Sequence, residues 1–307
     1  MSDRKVVFMG TPEFAVPILE TIVNSSYKIS CVYTQATKKS NRGQKLNISP
    51  VYKCAEKLKL NVRNPINLNT EEEFNFIKKL NPDLVLVVAY GQLISKKLLS
   101  LPRRGFINIH ASLLPKWRGA APMQRSIMNS DIETGVSIMK IVEDLDAGPV
   151  MKKIKIEIND SVTTEELSKN LSNISSEIII EVLDDIFDKK LKFIEQNHSI
   201  ASYAKKIKKK ETKINWNESA KKILAKINGL NPKPGAWFVY KNKRYKIWRA
   251  AVNEKKGPPG TILDKNFIVG CGNKSLEFIE IQKEGKNKLL LKDFLMGINF
   301  KQGDVLK

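Results

Sequence analysis

The sequence predicts an α/β protein, a doubly wound and mostly parallel sheet followed by a small C-terminal β-barrel. Three observations carry this. Residues 84–90, LVLVVAY, are an unbroken apolar run ending at Gly91, which a parallel strand covered on both faces requires. Shorter apolar runs at 5–9, 29–33 and 106–109 alternate with segments of helical period at 51–60 and 70–80, the order of consecutive right-handed βαβ units. From residue 236 the pattern changes to short β-rich runs at 237–241, 245–252, 260–263, 267–271 and 276–282, separated by Gly, Pro and Asn. That spacing suggests an OB-like barrel. The first half is therefore Rossmann-like, and such sheets bind ligands outside the carboxyl ends of their strands.

Taken in order, KVVFM at 5–9 is the first strand. Thr11 then caps a helix whose first residue is Pro12, where a missing N–H costs nothing. No GxGxxG follows, which disfavours a dinucleotide site. Residues 34–50, TQATKKSNRGQKLNISP, are polar, basic and without period. A loop of that length is usually functional or disordered, and Lys38, Lys39, Arg42 and Lys45 around Gly43 make it a mobile phosphate-contacting loop. The helix at 70–80 opens on a Thr70/Glu73 capping box. After His110 come a proline-stiffened turn at 112–115, small residues at 119–122 that admit a flat ligand or another backbone, and a helix holding Gln124. A strand at 135–142, an acidic turn at 143–148, an alternating strand at 150–158 and a long helix at 163–190 complete the first domain, residues 1–190. Residues 191–208 show no period and read as a linker. The second domain, 209–307, opens with a helix at 219–228, and Pro232-Lys233-Pro234-Gly235 breaks the chain before the barrel.

With 307 residues and 42% hydrophobic content, the chain is long enough for two cores, since one core stops growing at about 250–300 residues. No apolar run approaches the roughly 18–20 residues of a membrane helix, and MSDRKVVFMG enters a strand instead of a signal peptide. A soluble, cytoplasmic protein is expected, with no membrane partner. Three scattered cysteines and two histidines supply neither a disulfide framework nor metal-ligand spacing, so no metal is expected. His198, in the linker, reads as a solvated surface residue. No heptad suggests more than a monomer. The net charge of +21 is unevenly placed: residues 1–202 carry 28 Lys and Arg against 23 Asp and Glu, whereas residues 203–307 carry 25 against 9. A net +5 against +16 points to a polyanion, nucleic acid before membrane, as the partner of the last third.

The chemistry centres on Asn108 and His110. Two apart on an extended backbone, they leave the same face of the sheet at a strand's end. Asn supplies an oriented N–H donor for a developing oxyanion, and a carboxylate beside the imidazole orients it. Asp146 is the obvious carboxylate. With no Ser or Cys nucleophile next to the histidine, the set suits direct acyl transfer to an amine. Ser112, in its proline-ended turn, resembles no nucleophile elbow.

NIHASLLP at 108–115, WRGAAP at 117–122 and LDAG at 145–148 resemble the signature of the folate-dependent formyltransferases. FMGTPEFA at 8–15, VAYG at 88–91, Arg42-Gly43, Tyr203-Ala204, Asn215-Trp216, Asn231-Pro232 and Gly235-Ala236-Trp237 extend the likeness over almost the whole chain. The resemblance implies 10-formyltetrahydrofolate as donor, its pteridine near Val88, Ala89, Tyr90, Gly91, Ser112, Leu113, Leu114 and Pro115. The implied acceptor is the α-amino group of methionine on initiator methionyl-tRNA. Asn108 and protonated His110 would stabilise the oxyanion while Asp146 holds His110 and helps take the amine proton. Arg42 and Lys45 would reach the acceptor end, and Lys205, Lys206, Lys208, Lys209 and Lys210 would track the RNA backbone. The alternatives are a formyltransferase for a small amine, of nucleotide-sugar or glycinamide ribonucleotide type, and a non-enzymatic RNA-binding protein on the same fold. The first has less use for a +16 terminal domain, and the intact Asn108, His110 and Asp146 oppose the second. Phosphate contacts release counterions, so tRNA affinity falls linearly and steeply when log K is plotted against log salt. A flat plot would remove the tRNA footprint.

Overall fold

In the computed structural model the described residues are 4–40, 45–190, 192–297 and 300–307, with backbone alone described at 38–40 and 45–47. They form two compact units, one of residues 1–120, 135–156 and 168–204, the other of residues 121–134, 157–167 and 205–307. The chain runs β1 (Lys5–Gly10), α1 (Val16–Val23), β2 (Lys28–Tyr33), β3 (Lys38–Ser40), β4 (Lys45–Asn47), α2 (Pro50–Lys57), β5 (Val62–Arg63), α3 (Glu71–Leu80) and β6 (Leu84–Val88). There follow α4 (Lys96–Leu99), β7 (Phe106–His110), α5 (Pro122–Met128), β8 (Glu133–Lys140), β9 (Val150–Glu157) and α6 (Thr164–Asp188).

Seven of these strands make one sheet in the order β5-β2-β1-β6-β7-β8-β9. The ladders from β5 to β7 are parallel and β7 pairs β8 antiparallel, so the doubly wound expectation holds. All five residues of β6 are buried, which explains their unbroken apolar character: a strand with helices over both faces has no solvent side. From β1 the chain winds outward through β2 to β5, then returns to β6 and continues through β7 on the other side. The crevice at the carboxyl ends of β1 and β6 is therefore the topological switch point, where doubly wound sheets bind ligands.

Three local readings change. Thr11 does not cap a helix. A 3₁₀ turn, Glu13–Ala15, intervenes, and α1 starts at Val16 with Pro17 in its first turn. The Thr11 hydroxyl instead donates to the Tyr90 carbonyl (2.9 Å) and accepts from the Gln35 N–H (3.3 Å), joining the chain segments on the two sides of the switch point. The capping box is half made: Thr70 accepts from the Glu73 N–H, but the Glu73 carboxylate turns inward to Arg63 (2.6 and 2.9 Å) and the Tyr33 hydroxyl (2.8 Å). A buried carboxylate needs such donors more than a helix end does. The basic loop at 34–50 contains the antiparallel pair β3 and β4, and Arg42 lies outside the described residues.

In the second unit, α7 (Ala220–Gly229) precedes β10 (Ala236–Tyr240), β11 (Lys243–Asn253), β12 (Ile268–Gly270), β13 (Ser275–Lys283), β14 (Lys288–Leu290) and α8 (Leu291–Leu295). Ser219 caps α7 by accepting from the Lys222 N–H. The strands pair antiparallel in the order β10-β11-β13-β12, with β14 also on β13. The run at 260–263 forms no strand of its own, yet it closes the ring. Gly270 donates to the Thr261 carbonyl and Leu306 to that of Gly260, while Val239 and Lys307 exchange both backbone hydrogen bonds (2.6 and 2.8 Å). The sheet thus curls into a barrel whose seam is the segment 304–307 between β10 and residues 260–262. Aromatic rings fill it: Phe238 stacks on Tyr245 at 5.5 Å and lies 5.9 Å from both Trp216 and Phe278. Phe238 is fully buried, so Phe238→Ala removes a whole ring from this core and should cost about 3–5 kcal/mol. Urea unfolding of the pure variant measures that loss.

Candidate active site

β7 delivers two polar side chains to the switch point because its sequence, FINIH, alternates. Ile107 and Ile109 are buried on one face while Asn108 and His110 leave from the other. Val87 of β6 is the register partner of Asn108, so His110 ends its strand beside Ala89. The imidazole is only 6% exposed and meets an acceptor at each nitrogen. Nε2 lies 3.0 Å from the Trp117 carbonyl oxygen, and Nδ1 faces Asp146 Oδ2 at 3.5 Å. The carbonyl cannot donate, so Nε2 carries the proton there. Asn108 is half-buried, and its amide has no hydrogen-bond partner among the described residues.

Asp146 arrives by an indirect route. Lys140, the last residue of β8, pairs with Ile107 near the start of β7, so the connection at 141–149 must turn back along the sheet to reach His110. Its path passes so close to β8 that a Cβ on Gly148 would lie 1.9 Å from the Lys140 carbonyl oxygen. Asp146 itself has φ +48°, and Trp117 (+63°) and Ala89 (+50°) share that left-handed region, which L-residues other than Asn and Asp seldom adopt. Trp117 and Ala89, two such residues near one histidine, mark a place where backbone strain is held by its surroundings, and Asp146 shares their conformation. The Asp146 carboxylate also accepts from the Gly119 N–H at 2.8 Å, which fixes Oδ2 toward the ring.

The residues expected to line the folate slot divide by burial. Val88 and Leu114 are fully buried and Tyr90 is 1% exposed, so they can shape the slot only from beneath. Burial raises the Tyr90 phenol above its ordinary range, and among the described residues its hydroxyl is a buried side-chain atom with no hydrogen-bond partner. Ala89 and Gly91 are exposed, and Leu113 and Pro115 are half-buried; their backbones and edges are the accessible part. Ser112 is fully buried and donates to the Lys116 carbonyl at 2.6 Å. Its hydroxyl is spent on the turn, which agrees with its rejection as a nucleophile.

Two buried residues that sequence reasoning passed over complete the surroundings. Arg118 is 3% exposed and donates to Gln196 Oε1 (Nε 3.1 Å, Nη2 2.7 Å) and to His198 Nδ1 (3.3 Å). His198 is exposed as expected, but its ring takes part in this contact. The segment read as a linker is hydrogen-bonded into the first unit as far as Ala204, through Arg118 to Ser202 and Ala204 to Arg118. Arg118 stands in the quoted WRGAAP motif; nothing local distinguished Gln196. Of the basic residues, Lys205, Lys206, Lys208, Lys209 and Lys210 are all exposed in the second unit. Arg125 anchors that stretch by donating to the Lys205 carbonyl and to Glu211 (2.8 Å), whose carboxyl it holds below the usual range. Lys45 lies in β4.

Residues 4–183 match the family model described as formyl transferase, and residues 206–299 match that of the formyl transferase C-terminal domain. A methionyl-tRNA formyltransferase of Pelagibacter ubique (strain HTCC1062) is 51% identical over 302 residues, covering 98% of this chain and 97% of the relative. The chain belongs to the formyl transferase family. The methionyl-tRNA formyltransferase of Roseobacter denitrificans (strain ATCC 33942 / OCh 114) is 38% identical over 99% of both chains. Among solved structures, the methionyl-tRNA formyltransferase from Clostridium thermocellum shares the fold with a TM-score of 0.60 at 18% identity, over 82% of this chain and 95% of that one. HypX from Aquifex aeolicus in complex with tetrahydrofolic acid gives 0.68 at 16% identity, and this chain spans 51% of its length. For a formyl transferase whose carboxylate reaches the histidine by so tight a path, Gly148→Ala is expected to lower turnover about 100-fold by displacing Asp146. Steady-state rates with circular dichroism of the same sample test this, and an unchanged rate would free Gly148 of that role.

Proposed function

We propose that this enzyme transfers the formyl group of 10-formyltetrahydrofolate to the α-amino group of methionine on initiator methionyl-tRNA, giving N-formylmethionyl-tRNA for translation initiation. The observation that carries the reading is the clamped His110–Asp146 pair beside a free Asn108 amide at the switch point, in a chain whose relatives match it end to end. The strongly basic last third supports a nucleic acid, because a small amine has no use for that charge.

In this reading the amine lone pair attacks the formyl carbon, and charge builds on the formyl oxygen. Asn108 donates an N–H to that oxygen from a site already oriented by β7, with no reorganisation at the moment of reaction. His110 Nε2 is committed to the Trp117 carbonyl, so Nδ1 is the nitrogen turned toward Asp146 and the reacting groups. Asp146 receives the proton that the attacking amine must lose, and the departing N10 of the folate is protonated as its bond to carbon breaks. The new C–N bond, the broken C–N bond and the transferred proton balance without oxidant or metal. Ala89, Gly91, Leu113 and Pro115 would hold the pteridine, with Val88, Tyr90, Ser112 and Leu114 packing behind them. Arg42, Lys45 and Lys205, Lys206, Lys208, Lys209 and Lys210 would meet phosphates, which position an RNA without reading its sequence.

Formylation of Met-tRNA by the purified chain with 10-formyltetrahydrofolate tests the whole reading. Removing one oxyanion donor costs about 10²–10³ in kcat, so Asn108→Ala should lose that much; His110→Ala, which removes the ring that Asp146 faces, should lose about 100-fold, and both should keep the wild-type circular dichroism spectrum. A His110→Ala enzyme working at the wild-type rate would overturn the assignment.

A further inference from the structure

We infer that Gln196, oriented by Arg118, is a positioning residue that sets the Asp146 turn. The inference rests on the acyl-transfer role given to Asp146 above. Gln196 is 7% exposed, and its side-chain amide is fully used. Nε2 donates to the carbonyls of Asp146 (2.8 Å) and Gly148 (2.7 Å), and Oε1 accepts twice from Arg118. A primary amide has two N–H donors and two acceptor lone pairs, so none is left over.

The direction of the amide follows from Arg118 alone. A guanidinium has only donors, hence the oxygen must face it and the nitrogen must face the two carbonyls. Oxygen and nitrogen of such an amide are ordinarily interchangeable in placement; here the buried charge removes the choice. Arg118 has no carboxylate partner among the described residues, so its desolvated charge depends on the Gln196 oxygen and the His198 ring. The same residue's backbone is held at both ends, by Ser202 and Ala204, and its neighbours Trp117 and Gly119 supply the groups that touch His110 and Asp146. One amide therefore ties the loop that contacts His110 to the turn that carries Asp146. Without it, the left-handed φ of Asp146 has lost two of the hydrogen bonds that hold the strained turn in place.

Gln196→Glu separates position from folding. It keeps the shape and gives Arg118 a carboxylate, but it cannot donate to the Asp146 and Gly148 carbonyls. Thermal stability should hold, kcat for Met-tRNA formylation should fall about 10–100-fold, and KM for Met-tRNA should change less than about twofold. Added to Asp146→Asn, the same substitution should cost less than about twofold more, because the group it positions is already disabled. A full and additive loss in the double variant would overturn the inference. Amide hydrogen exchange across residues 144–148 reads the turn without reference to turnover: it should quicken about tenfold in Gln196→Glu, and unchanged exchange would overturn the inference. A wild-type protein inactive toward Met-tRNA would overturn the proposed function alone, since the exchange measurement would still decide the role of Gln196. If Gln196→Glu fails to fold, Gln196→Asn, which keeps both polar groups on a shorter stem, should fold and show the same accelerated exchange; exchange at the wild-type rate in that variant would also overturn the inference.

Discussion

The candidate site depends on one imidazole that is hydrogen-bonded to one acceptor and faces a second. His110 has a carbonyl at Nε2 and a carboxylate near Nδ1, and neither acceptor sits on a regular element. Each is carried by a residue with left-handed backbone, Trp117 and Asp146, so both must be kept there by hydrogen bonds from elsewhere. Ser112 pins the turn before Trp117 through Lys116, Ser137 pins it again by donating to the Ser112 carbonyl and accepting from the Leu114 N–H, and Gly119 caps the Asp146 carboxylate. Strain of this kind persists only where the surroundings over-determine it, and the density of side-chain to backbone bonds around 112–119 supplies that.

The parts of this arrangement that were legible in the sequence are those that depend on neighbours along the chain. Burial of β6 on both faces writes itself as five apolar residues in a row. The alternation in FINIH places Asn108 and His110 on one face without reference to anything distant. What stayed hidden depends on contacts across the chain. Gln196 meets Asp146 and Arg118 only because segments far apart in sequence are folded against each other, and a glutamine in an aperiodic stretch carries no signal of that. Thr11 misled for a related reason. Its sequence suits a helix cap, but the switch point offered the Tyr90 carbonyl, and the tertiary partner won. Glu73 did the same, since Arg63 and Tyr33 outbid the helix end for its carboxylate.

The antiparallel strand β8 has a further effect on the site. A purely parallel sheet would bring the chain back to the carboxyl ends only through a helix. Placing β8 against β7 in the opposite sense instead leaves the chain at the wrong end, and residues 141–149 have to recover the distance as a loop. That is why the candidate carboxylate sits on a strained connection while the histidine sits on a strand. Rigid elements hold groups more closely than loops do, and the buried Arg118 network compensates for that difference.

The seam of the barrel bears on how the second unit assembles. Its ring is completed by the Val239–Lys307 hydrogen bonds, between a strand near the start of the barrel and the segment at its far end. Contacts so distant along the chain are reached only after the intervening hairpins have paid most of their ordering entropy, which makes such topologies slow and cooperative folders. The hairpins β10–β11, β12–β13 and β13–β14 are local and can form early, but a hydrophobic interior with one side open to water is not yet a core. The aromatic cluster around Phe238 is sealed when the last strand-like residues arrive, so the seam is the step that turns a curled sheet into a domain.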